Sequence, residues 1–194
     1  ASLYRVYCNG RFVGYGPARA AHGYFRVDGW ELDDYCGPGV NTVYIEVACY
    51  QVNSFYTLCQ PPFLQAELVR DGEVLAATGA DGGFHARLVP ERVQKVQRYS
   101  FQRPFIEMWE LSPGYYDGYY RQDAGLPLLE QEEKQYLPRG TELPEFCLCP
   151  GTLIGRGAVL LTEPDHLYAD RSLTEVGTSL KGYPRGELTL VLSD

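Results

Sequence analysis

"LYRVYCNGRFVGYG", residues 3–16, is the stretch whose reading decides the fold. Side chains alternate in character on both sides of Asn9-Gly10. That dipeptide is the strongest short-range hairpin signal, because both central positions of a type I′ turn need positive φ. The stretch therefore reads as two antiparallel strands. Gly14 and Gly16 leave room for close approach of the chain that follows, "PARAAHGYFRVD", which is dense in aromatic and polar groups.

The same grammar continues downstream. "GPGVN" is a turn, and beyond it Val43, Ile45, Val47 and Cys49 alternate along one strand face. "FLQAELVRDGEVLAAT" is a second hairpin closed by Asp71-Gly72, and "GADGGF" is another turn. "VQKVQRYSFQRPFIEMWEL" reads as one or two extended segments broken at Pro104. Short strands at regular spacing, with turn chemistry between them and no long helical period, predict an all-β fold, a jelly roll or β-sandwich over residues 1–112.

After residue 112 the texture changes, and residues 113–194 read as a partly irregular extension with short strands. "SPGYYDGYYRQDAG" is rich in glycine and tyrosine. The charge run Glu130–Lys134 marks a short helix or a solvated face. "GAVLLT" and "ELTLVLSD" are strands, the last of them leading towards a downstream domain.

Composition bounds the function. The 194 residues are 45% hydrophobic, enough for a core, and carry a net charge of −8. That acidity argues against nucleic acid and against an anionic membrane surface, since both need a basic face. No apolar run approaches the roughly 18 residues that span a bilayer, and Ala1 leads into a strand pattern rather than a signal peptide. The six cysteines sit mostly within apolar strand patterns. They read as free, largely buried thiols, which mildly favours a reducing compartment and so the cytoplasm. Cys147 and Cys149 in "FCLCP" would point to opposite faces of a strand, which suits neither a mutual disulfide nor joint metal ligation. No metal site and no cofactor are expected.

Catalytic motifs are missing from the string. The glycines of "GRFVGYG" belong to a hairpin rather than a phosphate loop, and there is no G-x-S-x-G elbow. His22, His85 and His166 are scattered. Glycoside hydrolysis needs two carboxylates placed across a sugar. Glu46, Glu107 and Glu110 are the candidates for a self-contained glycosidase, with solvated strand glutamates as the plainer alternative. No catalytic residue is assigned.

Aromatics are the richer signal: 16 tyrosines, 8 phenylalanines and 2 tryptophans. Aromatic faces stack on pyranose C–H faces while planar polar side chains read hydroxyls. Two loops combine both types. "AHGYFRVD" supplies His22, Tyr24 and Arg26, and "ACYQVNSFY" supplies Gln51, Asn53 and Tyr56. These six are the candidate carbohydrate-binding residues. The alternatives are core packing or contact with a neighbouring domain or protein.

Residues 2–70, with "Y-x-V-x-x-N-G-x-x-V-G-x-G-P", the aromatic loop, the turn around "GPGVN" and the aromatic polar loop after it, resemble the N-terminal β-sandwich of bacterial α-L-rhamnosidases and related glycoside hydrolases. The likeness extends to about residue 112, and "YLPRGTELPEF" and "YPRGELTLVLSD" are similar to the linker and next strand that follow in such enzymes. β-Galactosidases and β-glucuronidases share part of the pattern. The resemblance implies a galactose-binding-like accessory domain. It would bind carbohydrate weakly or brace the catalytic domain of the same parent chain, whose helical barrel carries the acids.

Overall fold

The computed structural model describes residues 3–55, 57–79, 82–93, 105, 107–111, 113, 125–126, 129–147, 149–160 and 187–193, with side chains through residue 155. The described residues are rich in strand and nearly devoid of helix. It divides into two compact units. One joins Ala1–Glu91 to Leu111–Phe146, and the other joins Arg92–Glu110 to Cys147–Asp194.

The first unit is built on a three-stranded antiparallel sheet in the order β2-β1-β4, with β1 at Leu3–Cys8, β2 at Arg11–Gly16 and β4 at Val43–Ala48. Asn9 and Gly10 close the β1–β2 hairpin with φ of 50° and 75°, as a type I′ turn requires. Val6 pairs with Gly14 and Tyr7 with Phe12, so Val13 is an extra residue, a β-bulge. The bulge breaks strict alternation: Val13 and Gly14 are adjacent, and both are buried.

Two further pairs lie outside that sheet. Between β1–β2 and β4 comes β3 (Tyr24–Val27), which pairs in parallel with β7 (Gln135–Pro138). The hairpin of β5 (Glu67–Arg70) and β6 (Glu73–Ala77) repeats the design of the first. Asp71 and Gly72 take φ of 51° and 82°. Val69 pairs with Val74 and Leu68 with Ala76, leaving Leu75 as the bulge. Each bulge falls three residues beyond the turn glycine.

The hairpin tip is tied down by amides. The Asn9 side chain donates to Tyr35 O at 2.9 Å and to Asn41 Oδ1 at 2.8 Å, and it accepts from the Thr42 N–H at 3.0 Å. Asn41 in turn donates to Gly37 O at 2.9 Å and accepts from the Gly37 N–H at 2.8 Å. Arg11 donates to Asp34 O at 2.8 Å and lies over the Tyr35 ring. Both asparagines thus do more than permit turns. They join the β1–β2 turn to the loop around the 3-10 turn Asp33–Tyr35.

The core is small. Val6, Cys8 and Val13 are buried, with Tyr4, Trp30, Leu32, Tyr35 and Val43 packed against them. On the other face of the sheet, Tyr7 pairs with both Phe12 and Tyr44, a cross-strand aromatic row with ring centroids 5.6 and 6.2 Å apart. Phe146 lies edge-on against Phe12 and also meets Tyr15 and Trp30.

In the second unit, Arg92 and Trp109 form an antiparallel bridge, and β8 (Leu153–Leu160) pairs antiparallel with β9 (Glu187–Ser193). These last two strands are the segments marked by "GAVLLT" and "ELTLVLSD".

Two expectations are corrected, and one alternative is decided. The charge run Glu130–Lys134 forms no helix; residues 129–133 are exposed, as a solvated face, and lead into β7. Their charges provide no apolar stripe for a helix, and the Lys134 ammonium sits over the Phe63 and Phe25 rings at 4.7 and 5.4 Å. The cysteines are free but not largely buried. Cys8 is buried and Cys49 half-buried, while Cys36, Cys59, Cys147 and Cys149 are exposed. Cys147 and Cys149 also lie outside any strand, on either side of which Pro144 and Pro150 interrupt backbone pairing. The segment around Pro104 and the run from residue 114 to 124 lie outside the described residues.

Candidate functional site

The first predicted loop is positioned by β3. A tight turn at His22-Gly23, with Gly23 at φ 84°, brings the Tyr24 N–H to Ala21 O at 3.0 Å and launches the strand. His22 is exposed on that turn. Alternation then sends Phe25 inward, where its ring meets Phe63 edge-on at 5.0 Å. Tyr24 stands on the opposite side with 42% of its surface exposed. Its β7 partner in register is Gln135. Arg26 Nη1 donates to Pro138 O at 2.7 Å, and its Nε reaches Arg19 O at 3.4 Å. A side chain at Gly140 would press on that guanidinium. Arg26 therefore clamps β3 to the end of β7, which fixes the position of its guanidinium.

The second loop follows β4 and folds on itself. Gln51 takes φ 49°, and its carbonyl accepts from Cys59 Sγ at 3.1 Å. Asn53 Oδ1 accepts from the Cys59 N–H at 2.9 Å. Ser54 and Thr57 close a small ring of hydrogen bonds through hydroxyls and backbone, and Thr57 Oγ1 donates to Val52 O at 3.2 Å. Tyr56 lies outside the described residues. β3 is hydrogen-bonded to β7 and β4 to β1, so the two loops belong to different sheets.

A polar group that the sequence reading did not single out sits just beyond β3. Asp28 has a fully buried carboxylate. Its Oδ1 accepts from Arg139 Nη1 at 2.7 Å, and its Oδ2 accepts from the Tyr4 hydroxyl. Trp30 Nε1 donates to the Tyr4 oxygen at 3.0 Å. Burial, reinforced by the Asp28 hydrogen bond, raises the Tyr4 phenol well above its ordinary pKa. The two glycines of β2 make space for this group. A Cβ on Gly14 would overlap the Trp30 ring, and one on Gly16 would overlap Asp28 and Tyr4. The signal was present as "GYG" followed by "DGW", but only the fold brings Arg139 across 111 positions to complete it. With both oxygens engaged, Asp28 serves as a joint between strands rather than as a proton carrier.

Two of the three carboxylates considered for catalysis, Glu46 and Glu107, are tied to other side chains. Glu46 is not a solvated strand residue but buried, because it stands opposite Arg5 in the β1–β4 ladder on the face that bears Tyr7 and Tyr44, and Arg5 approaches it at 3.8 Å. Glu107 accepts from Trp109 Nε1 at 2.8 Å and lies 3.9 Å from Arg92. Glu110 is exposed. Glu46 belongs to the first compact unit, and Glu107 and Glu110 to the second.

Among the described residues, no group of three His, Cys, Asp or Glu is arranged to hold a metal ion, and no helix is long and apolar enough to cross a membrane. Searches against family models, curated proteins and solved structures find no match to this chain.

Proposed function

We propose that this chain is a non-catalytic accessory β-domain of a rhamnosidase-like glycoside hydrolase, folded as a jelly-roll type sandwich, that braces a neighbouring catalytic domain. One observation carries the non-catalytic part. Four polar groups that could do chemistry hold the chain together instead: Asp28 bonds Arg139 and Tyr4, Glu46 faces Arg5, Glu107 bonds Trp109, and Arg26 bonds Pro138. A general acid or base must be able to reach substrate and exchange its proton, and groups tied this way lose their fold-holding bonds when they do.

The sandwich is supported by the central sheet, which buries Val6 and Cys8 on one face and Glu46 on the other. The bracing role is supported by the β5–β6 hairpin, whose Val69, Val74 and Leu75 are each more than half exposed. Uncovered apolar side chains of this kind favour contact with another domain.

Weak carbohydrate binding is the second reading. Its support is the exposed Tyr24 ring on β3 and the exposed Phe55 ring in the loop after β4. A shallow stacking site of this type holds a sugar with a Kd on the order of 0.1 to 1 mM.

The test has two arms. The chain is assayed on a panel of aryl glycosides that includes α-L-rhamnoside, and no turnover is expected. Turnover lost on Glu107→Gln or Glu110→Gln would overturn the proposal in favour of a self-contained enzyme. The chain is then titrated with L-rhamnose and D-galactose to tens of millimolar while backbone amide shifts are followed. Shifts centred on residues 22–26 and abolished by Tyr24→Ala would establish the sugar reading. Unchanged spectra would leave bracing.

A further inference from the structure

Cys8 and Cys36 lie 28 residues apart in sequence, yet their sulfurs are 3.8 Å apart. Each is held there by backbone bonds that do not depend on the sulfurs. Cys8 ends β1, paired with Arg11 on one side and Val43 on the other. Cys36 follows the 3-10 turn, and its N–H donates to Leu32 O at 3.0 Å and to Asp33 O at 3.3 Å. The adjacent Gly37 is tied to Asn41 and so to Asn9. The two thiols differ in access: Cys8 is wholly buried and Cys36 is exposed.

We propose that Cys8 and Cys36 are a redox-modification site, a reversible disulfide that locks the end of β1 to the loop after the 3-10 turn. A disulfide bond is about 2.05 Å long. The sulfurs must therefore approach by about 1.8 Å, which side-chain rotation at the exposed Cys36 can supply. The oxidant is a small soluble disulfide. The Cys36 thiolate attacks one sulfur of oxidised glutathione, forms a mixed disulfide and expels a glutathione thiolate. Cys8 Sγ then attacks Cys36 Sγ and expels the second glutathione thiolate. The two protein thiol protons end on the two departing thiolates. Two protein thiols are oxidised, and one glutathione disulfide is reduced to two glutathione thiols. Burial, together with the neighbouring thiol, pushes the Cys8 thiol up, which agrees with Cys36 attacking first and Cys8 resolving. Among the described residues, the other exposed thiols have no second sulfur in hydrogen-bond range. Cys59, for example, donates to the carbonyl of Gln51.

The experiment treats the reduced chain, in its folded state, with oxidised glutathione at neutral pH. Remaining thiols are trapped by alkylation after acid quench, and the unfolded chain is cut with chymotrypsin, which separates Cys36 from Cys49 at Tyr44. The expected product is a peptide pair joined through Cys8 and Cys36, two hydrogens lighter than the sum of its parts, released by dithiothreitol and missing from Cys36→Ser. Cys36 is exposed, so that variant keeps the core intact, and the wild-type measurement stands without any variant. Recovery of Cys8 alkylated while Cys36 carries glutathione or the alkyl group would overturn the proposal. So would a link from either residue to a different cysteine.

Discussion

Removal of the Arg139 guanidinium tests how the parallel β3–β7 pair is held to the core. Arg139→Met keeps most of the side-chain volume and deletes the charge. The pair it breaks is 2.7 Å long, with the arginine side chain 17% exposed and the Asp28 side chain not exposed at all. At an effective dielectric near 20, two unit charges at that distance attract by roughly 6 kcal/mol. Desolvation of the two ions offsets several kcal/mol of this, so the intact pair is worth far less. Deleting one partner is another matter, because the buried carboxylate keeps its desolvation cost and loses its counterion, a change of about 3 to 5 kcal/mol. The Tyr4 hydroxyl still donates to Asp28, which places the expectation near the lower end, about 3 kcal/mol. With a urea m-value of about 1.5 kcal/mol/M, the denaturation midpoint should fall by about 2 M. Asp28→Asn in the same chain removes the stranded charge, so the double variant should be more stable than Arg139→Met alone. The internal control is Arg70→Met, whose neighbour Asp71 lies in solvent; it should not move the midpoint measurably. If Arg139→Met shifted the midpoint no further than Arg70→Met, with m unchanged, the reasoning that Arg139 neutralises a buried Asp28 would be refuted.

Two further predictions use the same unfolding assay. Gly10 has φ 75° and open space around its missing side chain, whereas Gly14 stands against the Trp30 ring. Gly10→Ala should therefore cost about 1 kcal/mol of backbone strain with unchanged tryptophan emission. Gly14→Ala should cost about 1 to 3 kcal/mol and shift the emission of Trp30, measured with Trp109→Phe in the background. Equal emission in the two variants would contradict the packing described. Tyr4 concerns alkaline pH. Its phenol is raised in the folded state by burial and by Asp28, so its contribution to stability is whole below the unfolded value of about 10 and is lost as pH climbs above it, at about 1.4 kcal/mol per pH unit. Tyr4→Phe has no such proton, so the stability gap between wild type and variant should narrow from pH 10 to 11; a constant gap would show that the phenol is not held this way.

The local features were legible in the sequence because they rest on φ preferences and on short-range alternation. Asn9-Gly10 and Asp71-Gly72 take positive φ with little penalty, and side chains on either side alternate, so both hairpins follow from about fifteen residues each. Gly14 and Gly16 announced a close approach before its partners were known. The candidate binding residues were legible only as chemical types. Arg26 and Asn53 carry suitable hydrogen-bonding groups, but whether those groups face solvent or the chain's own carbonyls and amides depends on neighbours distant in sequence. The tertiary structure sent Arg26 to Pro138, 112 positions away, and paired Arg139 with Asp28 across 111. It also decided Glu46. Alternation places that residue on the face opposite Ile45, but only the fold, which sets Arg5 and Tyr7 beside it on that face, leaves it buried. The bulges at Val13 and Leu75 belong to the same class, since an extra residue in a strand shows itself only against the register of its partner. A residue's own backbone preference is a property of the sequence, whereas the burial of a charge and the partner that neutralises it are properties of the space into which the whole chain folds.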